Sequence, residues 1–208
     1  MIISRTSFRL KFGQTKPAVA IWKEIMDHTR GKEYARPMQL MTDLSGPNYT
    51  LVCDFHLRGF TELGTSMHLW LSDPLIRELY PKFVLLCESS TSELYHVEHQ
   101  VGTTPVAAGN VVELMTFRLR FGQAREACAI WKEIITAGGK AGLNMRMYTD
   151  ITGESYTLLM DQHYHSMLEY GPRKYLWMTD PDLKEAYKRF VPLCESANRT
   201  LFTMVHHV

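Results

Sequence analysis

Two short segments of the chain carry an aspartate and a histidine at the same spacing. Asp54 and His56 stand two residues apart, and Asp161 and His163 repeat the pattern. In an extended strand that spacing puts both side chains on one face. A histidine placed there is a candidate general base, with the aspartate beside it orienting or tuning the ring. Arg9 and Arg118 recur in the same fashion, as do Tyr49 and Tyr156, and these four are candidate ligand contacts. Other readings of the same residues stay open. Arg9 opposite Asp54 on a neighbouring strand is a structural ion pair, since a buried charge needs a partner. Two Asp-x-His segments also resemble part of a metal site, but no further ligand is evident and no metal is assigned.

These pairs recur because the chain repeats itself. Phe8-Arg9-Leu10-Lys11-Phe12-Gly13-Gln14 returns as Phe117-Arg118-Leu119-Arg120-Phe121-Gly122-Gln123. Ala20-Ile21-Trp22-Lys23-Glu24-Ile25 returns from Ala129 to Ile134, and Leu86-Cys87-Glu88-Ser89 from Leu193 to Ser196. The period, roughly 108 residues, is the size of a small domain and far too long for a solenoid unit. Two repeats are expected, 1–101 and 113–208, with a linker at 102–112 marked by small residues, Pro105 and two glycines.

Each repeat reads as strand, helix, strand, strand, helical region, strand. Residues 7–12 alternate, with Phe8, Leu10 and Phe12 on one face and Arg9 and Lys11 on the other. Thr15 offers a helix N-cap, Pro17 suits the first turn, and Val19, Trp22, Ile25 and Met26 form an apolar stripe. Gly31 should end this helix, and Gly138-Gly139 its copy. Strands at 38–43 and 49–55 follow, joined through a glycine-containing hairpin turn. The helical region 61–88 is broken by Asp73-Pro74, matched by Asp180-Pro181, an N-cap and N1 pair that predicts two helices. The last strand is 94–101, matched by 201–208. In the strand carrying the Asp-x-His pattern, Leu51, Cys53 and Phe55 should pack on helices, turning Asp54 and His56 to the opposite face. His99, matched by His206, is expected to face the helices. The matched Trp22, Trp70, Trp131 and Trp177 are expected in the core.

This βαββαβ order is the ferredoxin-like split βαβ unit, an α+β fold with both helices on one face of an antiparallel sheet. The other face needs a cover, and a second copy of the sheet supplies it. With the phenylalanine-rich first strand, the glycine after it and the helix tryptophans Trp22 and Trp131, the chain resembles the dimeric α/β-barrel superfamily. Its nearest flavour is NIPSNAP-like, here as a tandem duplication closing an α/β barrel within one chain. Members of that superfamily include cofactor-free oxygenases of polyketide quinones, isomerases, cyclases, haem-dependent enzymes and proteins of unknown role. The resemblance therefore implies a cavity between the sheet and its cover without choosing the chemistry.

The composition is that of an ordinary globular protein, 45 % hydrophobic and 22 % charged with a net charge of +1. An even mixture of charges gives no footprint for nucleic acid or an anionic membrane. The residues from Met1 to Ser7 lack a signal-peptide pattern, so a cytoplasmic location is the default. Cys53, Cys87, Cys128 and Cys194 are too far apart for zinc pairs or Cys-x-x-Cys motifs. The resemblance, taken with the paired Asp and His residues, implies an oxygenase or cyclase without a cofactor, acting on a hydrophobic aromatic or polyketide-like molecule, with His56 or His163 moving protons. The alternative is a non-catalytic ligand-binding or assembly protein. Haem is a further alternative, though nine histidines single out no axial ligand. A homodimer is compatible with either. The stretches beginning at Leu57 and Tyr164 differ between the copies and are where pocket specificity should lie.

Overall fold

The computed structural model describes residues 1–102 and 107–208. The first repeat runs β1 (Ile2–Leu10), α1 (Thr15–Thr29), β2 (Met38–Asp43), β3 (Thr50–Leu57), α2 (Phe60–Ser72), α3 (Pro74–Val84) and β4 (Cys87–Val101). The second runs β5 (Val111–Leu119), α4 (Ala124–Lys140), β6 (Asn144–Asp150), β7 (Thr157–Tyr164), α5 (Met167–Thr179), α6 (Pro181–Phe190), a single 3-10 turn and β8 (Cys194–His207). Of the linker placed at 102–112, residues 103–106 lie outside the described residues, and Val111 and Val112 already belong to β5.

Each sheet has the order β4-β1-β3-β2, and the two join into one closed ring, β1-β3-β2-β8-β5-β7-β6-β4. Closure is edge to edge: β2 pairs with β8 and β4 with β6, all antiparallel. No sheet edge is left to template aggregation. Because direction alternates around the ring, β1 and β5, four places apart, run the same way. The repeats are therefore related by rotation about the barrel axis, and equivalent strand ends meet at the same mouth.

Side-chain alternation divides the molecule into two outer cores and a lumen. Phe8, Leu10, Leu51 and Cys53 pack outward under α1 and α3, against Trp22, Ile25, Met26 and Phe83. Phe117, Leu119, Leu158 and Met160 do so beneath α4 and α6, against Trp131, Ile134 and Phe190. The geometry is kept between copies: Phe8 meets Phe83 edge-on at 4.8 Å, and Phe117 meets Phe190 at 4.9 Å. All four matched tryptophans belong to or pack on these cores.

Several local expectations need correction. β1 starts at Ile2 rather than at residue 7, and β4 at Cys87, inside the stretch read as helical. Gln14, not Thr15, precedes α1, and its side chain makes no capping bond. The aspartates do cap as expected: Asp73 accepts from the Leu75 and Ile76 amides, and Asp180 from those of Asp182 and Leu183. Gly138 and Gly139 do not end α4, which continues to Lys140. A Cβ on Gly138 would stand 2.7 Å from Met145 Sδ, and one on Gly139 3.0 Å from Val101 Cβ, so these glycines let the helix sit close on the sheet.

Candidate functional site

The matched aspartates and histidines all point into the lumen, and the lumen is packed. Asp54 is fully buried and takes two hydrogen bonds from Arg5, at 2.8 and 2.6 Å. Asp161 is held by Arg146 at 3.1 and 2.8 Å, by the Tyr148 hydroxyl, and by His163 Nε2 at 3.0 Å. Around these pairs Met41, Val52, Val112, Phe202 and Met204 fill one part of the barrel, and Ile3, Tyr95, Tyr148 and Leu159 another. The expected Arg9–Asp54 pair is not formed. Register sets Arg9 opposite Thr50, and Arg5 opposite Asp54.

The partner arginines are not equivalent in the two copies. Arg5 corresponds to Leu114, and Arg146 to Gln39. One repeat neutralises its aspartate from β1, the other from β6. Burial alone would raise the Asp161 carboxyl, but Arg146 and His163 together hold it well below the ordinary range. Burial pushes His56 down to about 4, with Arg146 adding to the effect, and burial likewise lowers His163. Both imidazoles are neutral at pH 7. Among the described residues no three His, Cys, Asp or Glu side chains converge as a metal site.

The four candidate ligand contacts lie at one mouth of the barrel. Arg9 donates to the Asn48 carbonyl and Arg118 to that of Ser155. Tyr49 and Tyr156 sit in the turns these arginines brace, each at φ 64°, and meet the exposed Phe12 and Phe121 in tilted ring contacts at 5.1 Å. This is a duplicated turn brace at the rim. His99 does face the helices, with its ring 3.5 Å from Thr136 Oγ1 on α4. The reason is not simple alternation, since Tyr95 and Val97 point into the lumen. A register shift between Val97 and His99 turns the histidine outward, and a second shift does the same for His206, which meets Asp27 at 2.9 Å.

The ligand-sized space lies outside the barrel, between the first repeat's sheet and α2. It measures about 280 Å³, near the lower end of small-molecule sites. Its floor is the outer face of β1, β3 and β4, including Ser4, Thr6, Phe55, Ser90 and Ser92, and its walls include Trp22, Leu63, Ser66, Met67, Trp70 and Tyr80. α2, which like α5 has no fully buried residue, roofs the cavity. A strap at 34–36 closes one side. Lys32 and Tyr34 each bond Asp73 at 2.6 Å, and Arg36 pairs with Glu62 at 2.8 Å. Trp22 Nε1, Trp70 Nε1 and Ser66 Oγ are buried in this wall without a hydrogen-bond partner. A second cleft shares Ala35, Arg36 and Leu57 with the cavity and adds His56 and Glu62.

The same place in the second repeat is filled. Glu113, at the position of Ser4, is fully buried and takes bonds from Lys174 at 2.6 Å, Arg199 at 2.9 Å, and the Tyr164 and Tyr170 hydroxyls at 2.7 and 3.4 Å. These replace Met67, Ser92, Leu57 and Leu63 of the first repeat. Trp177 Nε1 donates to Gln162 at 3.1 Å, whereas Phe55 leaves Trp70 without that acceptor.

The fold defines the class: an α/β barrel of eight antiparallel strands, two ferredoxin-like halves closed inside a single chain. No protein-family model matches the chain, nor does any curated protein. Among solved structures it is similar to a "putative monooxygenase" from Lactobacillus acidophilus, at 11 % identity and a TM-score of 0.77, covering 100 % of this chain and 95 % of that one. An anthrone oxidase-like protein aligns at 9 % identity and a TM-score of 0.71, over 100 % of this chain and 92 % of that one. LmHde, a heme-degrading enzyme from Listeria monocytogenes, aligns at 10 % identity and 0.55, over 98 % and 99 %. A NIPSNAP domain protein from Burkholderia xenovorans matches one repeat, 45 % of this chain and 91 % of its own, at 18 % identity and 0.40. At these identities the likeness is one of fold. No helix among the described residues is long and apolar enough to cross a membrane.

Proposed function

We propose that the chain is a small-molecule oxygenase without a cofactor, acting on a hydrophobic aromatic molecule in the cavity of the first repeat. The observation that carries this reading is the pair of orphan donors, Trp70 Nε1 and Ser66 Oγ, in an apolar wall; Trp22 Nε1 is unpaired too, but so is its copy Trp131 Nε1 in the filled repeat. A buried donor without an acceptor is costly, and a ligand carbonyl would satisfy it. Donors on a carbonyl oxygen also stabilise the negative charge that develops there when an adjacent C–H is deprotonated. Such an anion gives an electron to dioxygen. For a ring methylene the balance is one dioxygen consumed, one oxygen kept as the new carbonyl, and the other leaving as water with both hydrogens.

Among the described residues, no His, Asp or Glu lines the cavity itself. The proton therefore leaves through water to the adjoining cleft, where the Glu62 carboxylate can receive it; His56 borders that cleft, but its ring turns into the lumen and burial favours its neutral form. His163, sealed in the lumen, has no such path. The lining also fits a histidine-ligated haem poorly, since it offers neither His nor Cys and the Tyr34 hydroxyl is already spent on Asp73. One observation favours a rival, a non-catalytic binding protein: the cavity lacks its own base. Anthrone, chosen from the neighbour's chemistry, separates the two. Oxygen uptake of one per anthrone, lost in Trp70→Phe, supports the oxygenase. Binding without uptake supports the rival.

A further inference from the structure

Resting on the reading of the cavity as a ligand site, we infer that Ser4, Thr6, Ser90 and Ser92 form its specificity-determining floor. They would select a flat aromatic ligand bearing neutral oxygens along one edge. The argument begins with what a helix-covered sheet face ordinarily carries. Elsewhere on this face stand Phe8, Leu10, Leu51 and Cys53, all apolar and buried. At the cavity the same face changes to hydroxyls on two neighbouring strands, half-buried at Ser4 and Thr6 and exposed at the rim at Ser90 and Ser92. β1 and β4 pair antiparallel with Thr6 opposite Ser92 and Phe8 opposite Ser90, and the Thr6 and Ser92 hydroxyls lie 2.9 Å apart.

Strand spacing of about 4.8 Å and a same-face repeat near 6.8 Å make these hydroxyls a small grid. A hydroxyl donates one hydrogen bond and accepts others, so the grid takes phenol and carbonyl oxygens alike. None of the four is charged, so the edge it recognises is neutral. The opposite wall, with Leu63, Met67 and Trp70, suits an apolar ring face. In the second repeat the grid is absent, its positions held by Glu113, Met115, Ala197 and Arg199. The hydroxyls thus go with the open cavity and not with the fold.

The test is equilibrium binding to the full chain, followed by quenching of tryptophan fluorescence. Naphthazarin, a naphthalene carrying paired oxygens on its edges, is compared with methylnaphthalene, which has none. In the double variant Thr6→Val and Ser92→Ala, naphthazarin should lose about ten-fold or more in affinity, the effect of one to two hydrogen bonds. Methylnaphthalene should bind as before, and its binding shows that the variant is folded. Equal change for both ligands, or none for either, overturns the inference while leaving the cavity intact as a site. Failure of both ligands to bind the unaltered chain, or binding that survives Ser66→Trp, sinks the cavity reading itself and the floor with it.

Discussion

The two repeats share a barrel and an outer core, yet they treat the space beneath α2 and α5 in opposite ways. In the first, Ser4, Met67 and Ser92 leave about 280 Å³ open, and Trp70 Nε1 is unpaired where its copy Trp177 donates to Gln162. In the second, Glu113, Lys174 and Arg199 occupy the space with a buried charge cluster, completed by Tyr164 and Tyr170. Burial lowers the Lys174 amine, and only the Glu113 carboxylate opposes that. Removing one member would leave the others uncompensated, so the plug stands or falls as a unit. The lumen, by contrast, keeps its aspartates and histidines in both copies. Duplication has kept the lumen aspartates and histidines while moving the arginine that neutralises each aspartate, and on the helix side divergence has opened one site and filled the other.

The largest effect expected from breaking this comparison lies in the shared lumen. Asp161→Ala strands the buried Arg146 and should cost about 3–5 kcal/mol of stability, read as a lower urea midpoint. Asp54→Ala, which strands Arg5, should do the same, whereas neither aspartate touches the cavity. Next is acid. His56 is neutral in the fold down to about pH 4 but titrates near 6.5 when unfolded, so the unfolded chain binds the extra proton. Stability should fall by about 3 kcal/mol as pH drops through that window, and His56→Leu should flatten the loss. Third, grafting the plug onto the first repeat, as Ser4→Glu with Met67→Lys and Ser92→Arg, should weaken cavity binding about 100-fold or more, some 2.7 kcal/mol, with the melting temperature little changed. The smallest effect belongs to the rim. Arg9→Ala removes an exposed brace and should cost under about 1 kcal/mol.

The barrel was legible in the sequence because duplication and alternation are local, countable signals. The partners of the aspartates were not. Arg5 lies before residue 7, where the apolar alternation begins, because Ser4 and Thr6 break that alternation on the face that carries Phe8 and Leu10. Arg146 is matched by Gln39, so a search for identical pairs between copies passes over both arginines. The outward turn of His99 needs a bulge that no periodicity announces. The cavity depends on which side chains meet beneath α2, a tertiary fact. Its trace in the sequence is a set of mismatches, Ser4 with Glu113, Met67 with Lys174 and Ser92 with Arg199, that fall on one face only once the strands are in register. Leu57, where the copies begin to diverge, lines the cavity together with α2.

The central claim, one open site per chain, is tested most directly by calorimetric titration of the full chain with naphthazarin. The account predicts one molecule bound per chain, abolished by the grafted plug. It also predicts two per chain when the second repeat is opened by Glu113→Ser with Lys174→Met and Arg199→Ser. Two molecules bound by the unaltered chain, or binding that survives the grafted plug, would contradict it.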